Sequence, residues 1–157
     1  MHWAVHLVAA LSTLLASPAV AAGLSEAEVR RFLQRQEAAW NARRIDAYFA
    51  GFTADAVFID QHVTPKEVIT YGRSTLPQAR AAARRFLATS ASVERGSVRS
   101  IRIAPGGRTA RVLGYEVTTI TAGGRTRHVC ANTDQTLVLA DGRILSKGQT
   151  DSIVRCR

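Results

Sequence analysis

Two dipeptides, Gly123-Gly124 and Asp141-Gly142, constrain this chain more than any other feature. Each is a two-residue hairpin signal, because the tightest hairpin turns need positive φ at both central positions and Gly, Asn and Asp tolerate it best. The flanking segments alternate between apolar and polar residues over Ala110 to Thr121, Thr126 to Leu139 and Ile144 to Val154. Such a period of two marks strands. An earlier strand, Val98 to Ala104, joins them through the Pro105-Gly106-Gly107 turn. The turns also predict a register. Thr121 pairs with Thr126, Tyr115 with Asn132 and Leu113 with Asp134. Counting on through Asp141-Gly142 sets Asp134 opposite Gln149, Asn132 opposite Asp151 and Cys130 opposite Ile153. Paired residues share a face. One face is therefore expected to carry Leu113, Tyr115, Val117, Cys130, Asn132, Asp134, Gln149, Asp151 and Ile153. The other carries Val112, Glu116, Thr118, Val129, Ala131, Leu137 and Val154. Both are partly apolar, so one is expected to pack on helices and the other on a second subunit.

The segment before these strands reads as helical. Ser25 and Glu28 form a capping box, and Val29, Phe32, Leu33, Gln36 and Trp40 follow at helical spacing. A second, short helix is predicted from Ile45 to Phe52, anchored by Tyr48, Phe49 and Phe52. Ala56 to Ile59 is a short apolar strand ending at Asp60, and His62 to Tyr71 reads as irregular. A third helix is predicted from Leu76 to Leu87, with Thr75 as cap and Pro77 tolerated in its first turn. Helices on one face of a curved antiparallel sheet make an α+β domain. The reading is one domain, residues 23–157.

Residues 1–22 read as a signal peptide. Val5 to Leu15 is apolar except for His6, Ser12 and Thr13, and Ala19-Val20-Ala21 fits the small-x-small cleavage pattern. The run is shorter than the ~20 residues a bilayer-spanning helix needs. The expected location is periplasmic or secreted, with no membrane association after cleavage. In such a compartment Cys130 and Cys156 can form a disulfide. The predicted register opposes this unless a bulge or a curled C-terminus brings them together. The formal charge is +9. The basic residues are scattered, with Arg30-Arg31, Arg43-Arg44 and Arg84-Arg85 on helices, and no basic run is interleaved with aromatics. No nucleic-acid partner is expected.

The order of elements and three short stretches resemble the nuclear transport factor 2-like superfamily. These are Ile45-Asp46-Ala47-Tyr48 with Phe52-Thr53-Ala54-Asp55-Ala56-Val57-Phe58, Gly72-Arg73 before the third helix, and Asp141-Gly142-Arg143-Ile144 at the last hairpin. That superfamily includes ketosteroid isomerases, SnoaL-like polyketide cyclases, limonene epoxide hydrolases and non-catalytic binding domains. The resemblance implies a cone: a curved antiparallel sheet wrapped around three N-terminal helices, often dimeric through the outer sheet face. It also implies that Asp60, just after the first strand, stands where the isomerases keep their catalytic base. Asp134, eight residues before Gly142, stands where they keep an oxyanion-stabilising acid. The chain departs from the isomerases on the first helix, where Gln36 occupies the place of their tyrosine. The Asp–Arg–Asp set of the epoxide hydrolases has no assigned Arg here. For the cyclases, His128 and Asn132 are the candidates near Asp134.

Two carboxyls in unlike surroundings can split their pKa values and serve as base and hydrogen-bond donor. Asp60 can equally cap the loop at Gln61, and Asp134 and Asp151 can pair with an Arg. Trp40, Tyr48, Phe58, Tyr115, Asn132 and Gln149 are the candidate ligand contacts, though Trp40 and Tyr48 also suit a core. No CxxC, HExxH or HxH spacing is present, so neither a metal nor a cofactor is expected. Three readings follow: an exported domain holding a small molecule inside the cone; an isomerase, cyclase or hydrolase using Asp60 and Asp134; or an interaction domain with a closed cone.

Overall fold

The computed structural model describes residues 23–156. The expected signal peptide lies outside the described residues. No helix among the described residues is long and apolar enough to cross a membrane.

Helix α1 spans Glu26–Asn41. Its capping box is formed: the Glu28 amide donates to Ser25 Oγ at 3.3 Å and the Ser25 amide to Glu28 Oε2 at 2.9 Å. Two otherwise orphan donors of the first turn are thereby satisfied. Its buried stripe is Val29, Phe32 and Ala39. Helix α2 is brief, Ile45–Phe49, because Phe52 already begins strand β1, Phe52–Val63. Strand β2, Val68–Thr75, occupies part of the stretch expected to be irregular. It folds back on β1 through a Thr64 to Glu67 turn closed by the Thr64 hydroxyl. Helix α3 spans Leu76–Thr89, with a second capping box between Thr75 and Gln78 and Pro77 in its first turn. Strands β3 (Ala91–Ile103), β4 (Thr109–Ala122), β5 (Arg125–Ala140) and β6 (Arg143–Val154) follow.

The six strands form one curved sheet in the order β2-β1-β6-β5-β4-β3. The fold is α+β, as expected. Every neighbouring pair is antiparallel except β1 and β6, which run parallel. Both hairpin dipeptides adopt the required conformation, with φ of 55° and 72° at Gly123 and Gly124 and 48° and 71° at Asp141 and Gly142. The β4–β5 register is as predicted, with Tyr115 opposite Asn132 and Leu113 opposite Asp134.

The β5–β6 register is not. It matches the prediction from Ala140 and Arg143 as far as Leu137 and Ser146, then slips by one, because Lys147 and Gly148 together oppose Thr136. This is a β-bulge. Gly148 adopts φ of 128°, and a Cβ there would lie 1.8 Å from the Val57 carbonyl oxygen. Only glycine lets β1 approach so closely. Beyond the bulge, Gln149 lies opposite Gln135, Asp151 opposite Thr133 and Cys130 opposite Val154. The slip brings Cys130 within reach of the C-terminal tail, and Cys130 and Cys156 are disulfide-bonded with Cα atoms 5.2 Å apart.

The inward face is also the reverse of the one expected to hold the site. Ala110, Val112, Ala131 and Leu137 are buried, and Val112 and Leu137 pack with Leu24, Val29 and Phe32 in one core cluster. A second cluster joins Phe49, Phe52, Ala56 and Ala83, with Trp40, Tyr48 and Phe58 against it. Leu113, Tyr115, Asn132 and Asp134 therefore face outward. The apolar residues of alternate positions, rather than the polar ones, decide which side of a strand meets the helices.

Candidate functional site

A cavity of about 260 Å³ opens between α1, α2 and the inward face of β3 to β6. Its apolar walls include Leu33, Val98 and Val112, and its polar walls include Gln36, Tyr48, Thr133, Gln135 and Gln149. Three carboxyls also line it: Glu37 from α1, Glu94 from β3 and Glu116 from β4. Each is set by its backbone. Asn41, in the last turn of α1, clamps Glu94 by accepting from its amide at 2.7 Å and donating to its carbonyl at 2.8 Å. Glu37 Oε2 accepts from the Gly96 amide at 3.0 Å. Gly96 faces Glu116 across the β3–β4 ladder.

Behind the cavity, two amides form a relay. Gln135 Nε2 donates to Gln149 Oε1 in a short contact, and Gln149 Nε2 donates to Asp151 Oδ1 at 2.6 Å. Asp151 lies beside Asp60 across the parallel β1–β6 pair. Gln135 Oε1 and Gln36 Nε2 are buried without a hydrogen-bond partner among the described residues.

These acids perturb one another. Glu94, Glu116 and Asp151 keep partial solvent contact, yet they lie deep enough that burial is the largest influence on each. Glu94 is pushed up to about 9, first by burial and then by Glu116, Asp151 and Glu37. Burial also raises Glu116, with Glu37 adding to the effect, while a hydroxyl donated by Thr118 at 3.0 Å works against it. Asp151 is raised to about 7 by burial and by Glu116, against the stabilising Gln149 amide. Burial alone raises Asp60. The Tyr48 phenol is held well above its ordinary value by burial and then by Glu94, Glu116 and Asp151. Desolvation disfavours the charged form, and each neighbouring carboxylate disfavours the next. The arrangement can supply neutral carboxyls as hydrogen-bond donors or, against a cation, ionised ones as acceptors.

Of the residues anticipated from sequence, Tyr48, Tyr115 and Gln149 line the cavity. Asp60 faces inward and is half-buried, outside the cavity wall and next to Asp151. Trp40 and Phe58 belong to an aromatic core, with Trp40 5.2 Å from Tyr48 and Phe58 4.9 Å from Phe52 between ring centroids. Asp134 and Asn132 require correction, as does the direction of the Tyr115 side chain. Asp134 pairs with Arg111 at 2.5 Å on the outer face. Arg99 donates to Asn132 Oδ1 at 2.8 Å, and its guanidinium lies 5.0 Å from the Tyr115 ring centre. No common cavity joins Asp60 to Asp134, so that acid–base pair does not form. The sequence reading missed Glu37, Glu94, Glu116 and Gln135 as site residues. A signal existed for Glu116, a lone carboxylate in the row shared by Val112, Ala131 and Leu137. Among the described residues, no group of three or more His, Cys, Asp or Glu side chains is placed to hold a metal ion.

Solved structures share this architecture. A ketosteroid isomerase-like protein from Erwinia carotovora atroseptica superposes with a TM-score of 0.65 at 14% identity, over 83% of this chain and 96% of that one. A nuclear transport factor 2-like protein of unknown function from Shewanella oneidensis gives 0.57 at 16% identity, over 80% and 97%. This chain has the nuclear transport factor 2-like fold. The β subunit of the benzoate 1,2-dioxygenase from Burkholderia mallei shares the fold too, with a TM-score of 0.67 at 11% identity over 85% and 93%. At such identities the nuclear transport factor 2-like likeness speaks for the fold alone. No protein-family model and no curated protein matches the chain.

Proposed function

We propose that this chain is an exported domain that holds a small molecule in the cavity beneath α1 and α2. The cavity carries the reading: an interior space of about 260 Å³ with apolar walls and a few converging polar groups has the form of a ligand site. Buried polar atoms are normally paired, and the bare Gln135 Oε1 is what a bound molecule would satisfy. Export is supported by the apolar leader in the sequence and by the Cys130–Cys156 bond, which persists in oxidising compartments. The outer face, with Leu113, Tyr115 and Val117 among its arginines, is offered as the surface where a second copy meets the first. Sedimentation equilibrium reads that association directly.

Native mass spectrometry of protein recovered from the periplasm or medium tests the ligand. A co-purified small molecule is expected, and it should be lost in Thr133→Phe, which fills the cavity from β5. A bound molecule unaffected by Thr133→Phe would place the site elsewhere.

A further inference from the structure

The geometry points to a compact organic cation as the occupant: a primary ammonium or an amidinium held between Glu94 and Glu116, with an N–H aimed at Gln135 Oε1. This rests on the cavity being a ligand site and names the ligand's chemistry.

Three observations converge. First, carboxyls gather in the interior of a chain whose formal charge is +9. Glu37, Glu94 and Glu116 line the cavity, with Asp151 behind Gln149 and Asp60 beside it. Among the described residues the one basic side chain in the wall is Arg30, and it is paired with Glu26 at 2.6 Å. None of the ion pairs among the described residues involves Glu94, Glu116 or Asp151. A buried carboxylate without a counter-charge is costly, and a ligand cation would supply one.

Second, the amide relay fixes what the cavity presents. Gln149, only 9% exposed, donates its Nε2 to Asp151 and so turns its oxygen toward Gln135. Gln135 must then donate its own Nε2 to Gln149, which leaves Oε1 as the atom without a partner. An unpaired buried acceptor calls for a donor. Gln36 Nε2 is the matching bare donor, suited to one hydroxyl or carbonyl elsewhere on the ligand.

Third, the carboxyls are not gathered closely enough for a metal ion. They stand around a space large enough for a small organic molecule. An ammonium between two carboxyls makes charge-assisted hydrogen bonds, roughly twice as strong as neutral ones.

The titratable groups around this space are Arg30 and Glu37 from α1, Tyr48 from α2, Glu94 from β3, Tyr115 and Glu116 from β4 and, behind Gln149, Asp151 from β6 with Asp60 from β1. At neutral pH the Glu94 carboxyl, pushed up to about 9, holds a proton, so a cation seated against its carboxylate must displace it. Binding therefore releases protons.

Benzylamine, benzyl alcohol and benzoate, matched in shape and differing in charge, test this on the full exported chain at pH 7.5. Benzylamine should raise the thermal midpoint, and calorimetry in two buffers of unlike ionisation enthalpy should show net proton release. Glu94→Gln and Glu116→Gln should each weaken benzylamine about tenfold or more while keeping the wild-type fold by circular dichroism. An equal or larger effect of benzoate or benzyl alcohol would overturn the proposal. So would an unchanged benzylamine affinity in the double variant, or no effect from any of the three probes. Native mass spectrometry separates the two levels: a neutral or anionic co-purified molecule that Thr133→Phe expels overturns the cation and leaves the cavity reading standing.

Discussion

Asp151 gives the sharpest test of the buried acids. Its carboxyl titrates at about 7 in the fold, against an ordinary 3.8. Between those values the folded chain keeps a proton that the unfolded chain has lost. Asp151's contribution to stability is therefore greatest below pH 3.8 and falls as pH rises, levelling off above 7. At about 1.4 kcal/mol per pH unit, the cost is about 2 kcal/mol at pH 5 and about 4 kcal/mol at pH 8. Asp151→Asn cannot ionise, and its side-chain oxygen can still accept from Gln149. The variant should gain on the wild type by about 3 kcal/mol more at pH 8 than at pH 5. Urea unfolding at the two pH values reads this as a midpoint difference of roughly 1 to 3 M, since urea m-values for small proteins are ~1–3 kcal/mol/M. Glu94 and Glu116 tilt the wild-type curve in the same direction, so the comparison is between the two proteins rather than along one curve. If the variant's advantage is the same at both pH values, Asp151 is ionised throughout and the account of mutually repelling carboxyls is wrong.

Reducing the Cys130–Cys156 bond, which closes a loop with a sequence separation of 26, should cost about 3 kcal/mol, seen as a lower thermal midpoint in reductant. Gly148→Ala would put a Cβ 1.8 Å from the Val57 carbonyl oxygen. It should destabilise by more than about 4 kcal/mol or prevent folding, checked by urea unfolding and soluble yield. Asp134→Ala removes an outer-face ion pair whose side chains are 61% and 35% exposed. It should cost about 1 kcal/mol or less and leave ligand binding unchanged; loss of binding would restore Asp134 to the site.

Where local rules decide the outcome, the sequence was readable. The two hairpin dipeptides place three strands and the β4–β5 register, and the Ser25–Glu28 box places α1. The failures trace to one residue and one choice. Gly148 inside a strand pattern is itself a bulge signal, and leaving it out shifted Gln149, Asp151 and the cysteines by one position. The choice was of face. The row with Tyr115, Asn132 and Asp134 has the polar residues of a site, yet on the outside Arg111 of β4 pairs with Asp134 and Arg99 of β3 reaches across β4 to Asn132. Glu94 and Glu116 lie on the opposite, mostly apolar side, where a carboxylate is expensive and hence informative. Strand β2 was hidden because its side chains are largely exposed and show no burial alternation.

The parallel seam between β1 and β6 sets an order of assembly. Val57 meets Gly148, some 90 residues downstream, while β3 to β6 join their sequence neighbours through short turns. Distant pairings pay their closure entropy before any contact rewards it. The C-terminal meander can therefore form by itself, whereas the β1–β2 hairpin has no seat until the last strand exists. A chain still emerging from a ribosome thus lacks the strand that would join β1 to the rest of its sheet, and stays open until β6 arrives.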